Sequence, residues 1–452
     1  MLGARRKMID AGPYTTYFTK AAARRADAHH GFNKQKGIDL MNGNIVRGAA
    51  FALALLAAQT GLAANGDSLE GIGAVSEALG GTGVAAPQDG LTAMVNNPAG
   101  LGFAPGTTNG ELTLGVSLFQ PAVKTRIGTL AGTLSGGSDD PLFVIPFLGY
   151  SQPLDDTWSW GIAVYGTAGL GLDYRGKDWD LDGNPANGYE GDLFTRYSSL
   201  KLAPAFSYKP VRDLSVGAAL QGDYSTLDLG EGKIGATSAG LELGALYRTG
   251  PVQLGAAYTT PQKFTYKDVY NFDAFTGDTR KDSLVLEQPA VYAGGIAWQP
   301  VRTLLVEFDA KYLTWGDSEG YSDLDWKNQW VFGIGTQYEA TDKLALRAGF
   351  NYAKNPVAEH DGWDPQGITT VQGKLMPTVA YELFRNVGFP AIMQSHLTVG
   401  FSYRLTDWLT LNAAYAHVFE QSITSSSLGH AVNFESTLSA DSLGLGFALA
   451  FR

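Results

Sequence analysis

Regular alternation of large apolar residues with small or polar ones is the feature that most constrains the fold of this chain. From Leu443 to Phe451, leucine or phenylalanine occupies every second position, with glycine or alanine between. Closely similar alternation runs over 397–405 and 344–352. Successive side chains of a strand point to opposite faces, so these segments are predicted to be strands with one oily face and one small or polar face.

Composition supports a protein built from strands and tight turns. The 452 residues include 57 glycines and no cysteine, and 12% are aromatic; glycine is therefore well above its usual share of about 7%. Without cysteine there is no disulfide framework and no thiolate metal site. We predict fourteen strands, at about 111–120, 143–152, 158–168, 198–209, 214–227, 238–249, 252–263, 284–299, 303–315, 326–340, 343–354, 396–405, 408–421 and 440–451.

The connections between these strands alternate in length. Short links carry turn residues at Pro153–Asp156, Pro210–Asp213, Gly250–Pro251, Pro300–Thr303, Thr341–Lys343 and Thr406–Asp407. The intervening links are mostly longer, as in an outer-membrane barrel with short periplasmic turns and long extracellular loops. Aromatic residues at strand ends are predicted to form its interfacial girdles: Trp158, Trp298, Trp315, Trp330, Tyr352 and Trp408. The predicted fold is all-β, a 14-stranded antiparallel transmembrane β-barrel spanning residues 106–452.

The N-terminal part indicates export. Residues 41–64 have a short basic start, an apolar run and small residues before a cleavage point, which predicts a signal peptide. Residues 1–40 precede it, and we interpret them as a non-native or untranslated upstream extension, with Met41 as the initiator. Once both parts are removed, the chain is acidic, which argues against a nucleic-acid partner.

Residues 65–105 follow the predicted signal directly and are rich in small residues. Glycine lets a backbone approach a wall closely and adopt conformations closed to other residues. This segment is therefore predicted to be a small N-terminal plug, or hatch, within the barrel lumen. Its motif residues are Gly71, Gly73, Gly80, Gly81, Gly83, Asn97, Pro98 and Ala99.

The order of these features resembles the FadL-type family of outer-membrane transporters for long-chain fatty acids and other hydrophobic compounds. The resemblance rests on the glycine motifs at 71–73 and 80–83, on Asn97-Pro98-Ala99, and on the strand sequences at 202–210, 214–217 and 397–405. It implies a monomeric barrel whose lumen is closed by the hatch. It further implies that extracellular loops capture the substrate, which passes to an internal apolar pocket and leaves sideways at a kinked third strand.

The end of the third predicted strand contains the candidates for that lateral opening: Tyr165, Gly166, Gly169 and Gly171. Glycines inside a strand often mark a bulge or kink. The alternative is a flexible entry into the following loop.

The loop after this strand contains a weak calcium candidate. Asp178, Asp180 and Asp182 stand at alternate positions before a glycine, like the start of a calcium-binding loop. Position twelve is Tyr189 instead of glutamate, so a solvated acidic turn is the alternative. No other metal site and no cofactor motif is predicted.

The expected function is facilitated diffusion of hydrophobic molecules, with long-chain fatty acids as the first candidate substrate and aromatic or aliphatic hydrocarbons as the alternative. Arg347 or Arg404 is a candidate to attract a carboxylate. Outer-membrane lipid and lipopolysaccharide are the expected surroundings. Two alternatives of other classes stay open: a general polar porin, and a lipid hydrolase in which His417 works with Ser422 or Asn412. Neither residue pair has a nucleophile motif around it, so we predict that the protein is not an enzyme.

Overall fold

A computed structural model describes residues 65–103, 109–139, 142–177, 193–271 and 280–451. The predicted upstream extension and signal peptide lie outside these residues. So do the calcium candidates Asp178, Asp180 and Asp182. All three therefore stay predictions.

The described residues form strands with a few short helices. The strands are β1 Glu111–Thr129, β2 Gly132–Gly137, β3 Phe143–Pro153, β4 Trp158–Asp173, β5 Phe194–Val211, β6 Leu214–Asp228, β7 Ile234–Thr249, β8 Val252–Thr259, β9 Gln262–Tyr270, β10 Asp282–Gln288, β11 Val291–Val301, β12 Leu304–Leu313, β13 Gln329–Thr341, β14 Leu344–Ala353, β15 His360–Trp363, β16 Ile368–Val371, β17 Lys374–Pro377, β18 Ser395–Arg404, β19 Leu409–Ser427 and β20 Val432–Ala450. The helices are α1 Ala74–Ala78, α2 Gly90–Asn96 and α3 Thr378–Leu383, with 3-10 turns at Pro98–Phe103, Trp315–Asp317 and Leu428–His430 and a π-helix at Phe384–Gly388. No helix in the described ranges has the length and apolar character needed to cross a membrane.

Fourteen strands close into one antiparallel barrel, which confirms the predicted fold class. The ring runs β1, β3, β4, β5, β6, β7, β8, β11, β12, β13, β14, β18, β19 and β20. It closes because β1 pairs with β20 along its whole length, from Glu111 opposite Ala450 to Thr129 opposite Val432. The predicted short links all lie at one end of the barrel, which we call the short-turn end; the other is the long-loop end.

The outward face of the barrel carries the oily half of the alternation. Leu443, Leu445 and Phe447 are exposed, while the small residues between them face the lumen. Five of the predicted girdle aromatics are exposed, namely Trp158, Trp298, Trp330, Tyr352 and Trp408. Trp315 is fully buried, so its girdle assignment is wrong. It lies just beyond the end of β12, in a 3-10 turn that packs inward.

Two predicted strands are each divided by a proline. Strand β8 ends at Thr259, and β9 begins after Pro261; likewise β10 ends at Gln288 and β11 begins after Pro289. Proline has no N–H for a strand ladder, so the pairing stops there. Strands β9 and β10 pair only with each other, as a separate hairpin.

This hairpin covers the inner faces of β6 and β7 at the long-loop end. The Tyr266 hydroxyl donates to Ser225 Oγ of β6 at 2.6 Å, and a Cβ added to Gly240 of β7 would lie 2.3 Å from Gln262 Nε2. The lumen is therefore narrowed from that end by a folded-in loop.

Candidate functional site

Residues 65–103, which we call the lumen segment, pack against the inward faces of strands around the whole barrel. Added Cβ atoms on wall glycines would collide with its backbone. At Gly255 of β8 the Cβ would lie 2.0 Å from Val84 O, at Gly217 of β6 it would lie 2.4 Å from Ala99 N, and at Gly349 of β14 it would lie 2.3 Å from Gly80 N. Glycine in the wall thus makes room for the lumen segment.

Two carboxylates of β12 hold four consecutive amides of the lumen segment. Asp309 Oδ2 accepts from Gly83 N at 2.9 Å and from Val84 N at 3.0 Å. Glu307 Oε1 accepts from Ala85 N at 2.8 Å and from Ala86 N at 2.7 Å. A buried amide left without an acceptor is costly, so these four hydrogen bonds anchor 83–86 to the wall.

The Asn-Pro-Ala motif is a second anchor. Asn97 Nδ2 donates to Val84 O at 2.7 Å and to Ala245 O of β7 at 3.1 Å, and Ala99 N donates to Asn97 Oδ1 at 3.1 Å. One side chain therefore joins two parts of the lumen segment to the wall, with Pro98 continuing into the 3-10 turn.

The predicted motif glycines lie at turns and close approaches. Gly73, Gly80, Gly81 and Gly83 all have positive φ, and a Cβ at Gly81 would lie 1.8 Å from the carbonyl oxygen of Glu70. Gly71 packs on the backbone of α1, where an added Cβ would lie 2.9 Å from Glu77 Cα.

The barrel wall is incomplete between β3 and β4. Their pairing begins at the short-turn end and stops at Phe147 opposite Tyr165. Beyond that point β3 pairs only with β1, and β4 only with β5. A register irregularity lies between Gly166 and Ala168.

The other two candidates for the lateral opening, Gly169 and Gly171, lie on the stretch of β4 that pairs with β5 but no longer with β3. A Cβ at Gly171 would lie 2.7 Å from the ring of Phe143. The wall break therefore coincides with the glycine-rich end of the third barrel strand.

Residues 67–69, which we call the strap, occupy the free edge of β4. Leu69 N donates to Thr167 O at 3.2 Å, Gly169 N donates to Asp67 O at 3.4 Å, and Ser68 forms an isolated antiparallel bridge with Ala168. The strap thus supplies backbone partners where β3 no longer does.

The strap is also attached to the loops at the long-loop end. The buried Asp67 carboxylate accepts from Gln288 Nε2 at 3.0 Å and from the hydroxyl of Tyr321. Burial raises the pKa of Asp67 to about 7, against the lowering effect of these hydrogen bonds. Tyr321 belongs to an aromatic cluster with Trp315, Trp326 and Phe389, so strap and loops form one packed unit.

A cavity of about 170 Å³ lies in the lumen beside the strap. Its apolar side includes Leu69, Ile72, Val291, Leu313 and Val331. Its polar side includes Lys201, Gln221, Asp223, Glu242 and Gln262. Tyr165 and Thr167 join the cavity to the wall break. The cavity, the strap and the break are thus contiguous.

The charged residues of this cavity were missed by the sequence analysis. The arginines singled out there lie elsewhere: Arg347 donates to Gln337 Oε1 and Ser402 Oγ near the short-turn end, and Arg404 is exposed. Lys201 and Asp223 both stand at small-residue positions of the alternation. A charge at such a position is the signal that could have identified them.

The residues considered for hydrolysis do not come together. His417 is on the outer face, where its Nδ1 lies 2.9 Å from Asp441 Oδ1. Asn412 faces the lumen and accepts from Ser402, and Ser422 Oγ lies 3.2 Å from Thr437 Oγ1. Within the described ranges, no group of three or more histidine or acidic residues could hold a metal ion.

Fold and site together define a class: an outer-membrane β-barrel with an occupied lumen, an inner cavity and a break in its wall. The chain belongs to the family described as outer membrane protein transport protein (OMPP1/FadL/TodX), whose model matches residues 50–235 and 229–362. The predicted resemblance and the outer-membrane location are confirmed. Members of this family carry hydrophobic compounds across the outer membrane.

Several solved structures share the fold. The P. putida toluene transporter TodX is 21% identical, with 85% of this chain and 99% of that chain covered at a TM-score of 0.61. A Pseudomonas aeruginosa FadL homologue is 16% identical, with 86% and 100% covered at 0.63. The Ralstonia pickettii toluene transporter TbuX is 20% identical, with 85% and 99% covered at 0.57. Identities this low establish the fold alone.

One curated relative also matches. It is an uncharacterized protein from the phosphoenolpyruvate carboxykinase gene 5′ region of Chlorobium limicola, 40% identical over 85 residues. The match covers 19% of this chain and 41% of that relative.

Proposed function

We propose that this protein admits hydrophobic small molecules by facilitated diffusion, and that they leave the lumen sideways between β3 and β4. The observation that carries the proposal is the wall break above Phe147 and Tyr165, bordered by the cavity and covered by the strap. A hydrophobic molecule that leaves there enters lipid directly and does not cross the aqueous periplasmic mouth.

The anchoring contacts support different roles for two parts of the lumen segment, one fixed to the wall and one able to move. Residues 83–86 and 97–99 are fixed to the wall by carboxylate and amide side chains. The strap joins the wall by two long backbone hydrogen bonds, of 3.2 and 3.4 Å. Within the predicted hatch at 65–105, the strap is thus the part that moves aside, while the rest of the hatch keeps the periplasmic mouth closed.

Long-chain fatty acids are the first candidate substrate and hydrocarbons the second. Two of the structural relatives are toluene transporters, and one is a FadL homologue. The cavity of about 170 Å³ is near the size of an engineered site of about 150 Å³ that holds benzene. A long acyl chain exceeds this volume, so it would occupy the wall break as well as the cavity.

Locking the strap tests the exit route. The natural chain has no cysteine, so Ser68→Cys with Ala168→Cys introduces a single pair. Bridge partners on antiparallel strands have Cα atoms about 4.5 to 5.5 Å apart, which a disulfide spans. In a transporter-deficient host that expresses this double variant, we expect oxidation to lower substrate uptake at least about tenfold. Reductant should restore uptake.

The matched control is Thr113→Cys with Ala448→Cys, a bridge between paired wall strands away from the break. It is expected to leave uptake unchanged in both redox states. Full uptake through the oxidised strap pair would exclude this exit route.

Uptake of labelled oleate and of labelled toluene in the same host distinguishes the substrates. Uptake of either one supports the proposal, and uptake of neither contradicts it. Large, steady ion conductance through the purified protein would instead indicate a polar porin.

A further inference from the structure

On the polar side of the cavity, the ammonium group of Lys201 is already engaged by three neighbouring oxygen atoms. Lys201 Nζ donates to Gln221 Oε1 and to Gln262 Oε1, both at 2.9 Å, and lies 3.5 Å from Asp223 Oδ1. An ammonium group has three protons to donate. Lys201 therefore has none left for a molecule in the cavity, although it balances one of the nearby negative charges. Lys311, at the other side of the cavity, donates to Gly81 O and Asn96 Oδ1 of the lumen segment, both at 3.0 Å.

The incompletely hydrogen-bonded groups on the polar side of the cavity are carboxyl oxygens, which are acceptors. Asp223 is 4% exposed, and its Oδ2 has no hydrogen-bond partner among the described residues. Glu242 also lines the cavity and accepts one hydrogen bond, from Gln221 Nε2 to its Oε2 at 3.0 Å. Buried polar atoms in native proteins nearly always have a partner. The unpaired oxygen of Asp223 therefore points to a donor brought by a molecule that occupies the cavity.

We propose that the cavity binds compact neutral molecules that carry one hydroxyl group, small phenols and alcohols, with the hydroxyl donating to Asp223 Oδ2. This inference rests on the proposed function, because it assigns a substrate class to the same cavity. The hydrophobic body of the ligand lies against Leu69, Ile72 and Leu313, and the volume of about 170 Å³ suits roughly one aromatic ring.

The polar side of the cavity disfavours two other classes of ligand, carboxylates and bare hydrocarbons. A carboxylate brings only further acceptor oxygens to the unpaired oxygen of Asp223, with both nearby lysines engaged elsewhere. A bare hydrocarbon excludes water from Asp223 without replacing its hydrogen bond, which is costly in a buried place. Among molecules of one size, the hydroxyl compound is therefore the preferred ligand.

Calorimetric titration of the purified protein in amphipol with four matched ligands tests this. The ligands are p-cresol, its methyl ether 4-methylanisole, toluene and 4-methylbenzoate, which share one substituted ring. We expect p-cresol to bind about tenfold more tightly than 4-methylanisole or toluene, on the scale of one buried hydrogen bond. We expect 4-methylbenzoate to bind most weakly.

The substitution Asp223→Asn tests the contact itself. The asparagine oxygen faces Lys201, so the amide nitrogen, a donor, replaces the free acceptor in the cavity. We expect the affinity ratio of p-cresol to 4-methylanisole to fall to about one. The control is Asp213→Asn, the same change at an exposed position in the turn before β6, which should leave the ratio at its original value. The four-ligand series on the unaltered protein gives its answer even if Asp223→Asn fails to fold.

The outcomes separate this inference from the proposed function. Equal binding of p-cresol, 4-methylanisole and toluene would overturn the inference and leave the transport proposal standing. Tightest binding of 4-methylbenzoate would do the same. Binding of none of the four, together with failure of oleate and toluene uptake, would overturn both.

Discussion

Removing Glu307 and Asp309 together is expected to release the lumen segment from the barrel wall. In the double variant Glu307→Ala/Asp309→Ala, the four amides of Gly83 to Ala86 lose their acceptors. Each buried N–H left without a partner costs about 1–3 kcal/mol. The docked state is therefore destabilised by several kcal/mol on this scale, which is comparable to the whole stability of many domains.

The expected readouts are a channel that conducts ions and a host that becomes sensitive to large hydrophilic antibiotics. Both follow because the lumen segment fills the barrel from α1 at β18 and β19 to the 3-10 turn at β5, β6 and β7. Single-channel conductance in planar bilayers measures the first, and growth inhibition by vancomycin measures the second.

The near-isosteric pair Glu307→Gln/Asp309→Asn should give an intermediate result. Amide oxygens still accept the hydrogen bonds, but the added amide N–H groups need acceptors of their own in a buried place. The control is Glu435→Ala, whose exposed carboxylate lies 3.8 Å from Arg126 on the outer surface and has no contact with the lumen segment. Conductance that stays closed in the double alanine variant would show that these carboxylates do not hold the segment.

The sequence could predict the barrel because a strand's alternation reports its two faces directly. The predicted turns at Pro210–Asp213 and Thr341–Lys343 match the structure closely, since short turns have strict residue requirements. The hairpin of β9 and β10 was hidden because its residues alternate like the wall strands on either side. Only Pro261 and Pro289 mark where the wall strands end.

The cavity residues were harder to predict from the sequence, for a physical reason. Alternation predicts that Lys201 and Asp223 face inward, but it cannot predict which inward charges meet a cavity. That depends on where the lumen segment lies, and its position is fixed by contacts distant in sequence, such as Glu307 with Ala85. Trp315 was misassigned for the same reason: it lies beside a strand end, like a girdle residue, but long-range packing turns it inward.

Raising the pH is expected to loosen the lumen segment near the wall break. Glu77 is buried and accepts from Ser117 Oγ of β1 at 2.9 Å and from Ser442 Oγ of β20 at 2.5 Å. Glu70 is also buried, and it interacts electrostatically with Glu77. Burial raises the pKa of Glu77 to about 7; burial and then the charge of Glu77 raise the pKa of Glu70 to about 8. An exposed glutamate titrates near 4.5.

The sign of the effect follows from proton counting. Between pH 4.5 and about 8, the docked state keeps protons that a released, solvated segment gives up. Stability falls with rising pH wherever the native state binds more protons. The docked state is therefore most stable below pH 4.5 and weakens as the pH rises through this window.

Hydrogen exchange of peptides covering residues 70–79, corrected for intrinsic rates, is the direct measurement. We expect protection at pH 5.5 to exceed protection at pH 8.5 by about tenfold or more. Glu77→Gln, with a neutral side chain at every pH, should flatten this dependence and raise protection at pH 8.5, while Glu435→Gln keeps the original slope. Protection that grows with pH, or a slope unchanged by Glu77→Gln, would contradict the assignment. Because Glu70 and Glu77 border Ile145, Pro146 and Phe147 of β3, loosening here bears on the strand that leaves the wall open.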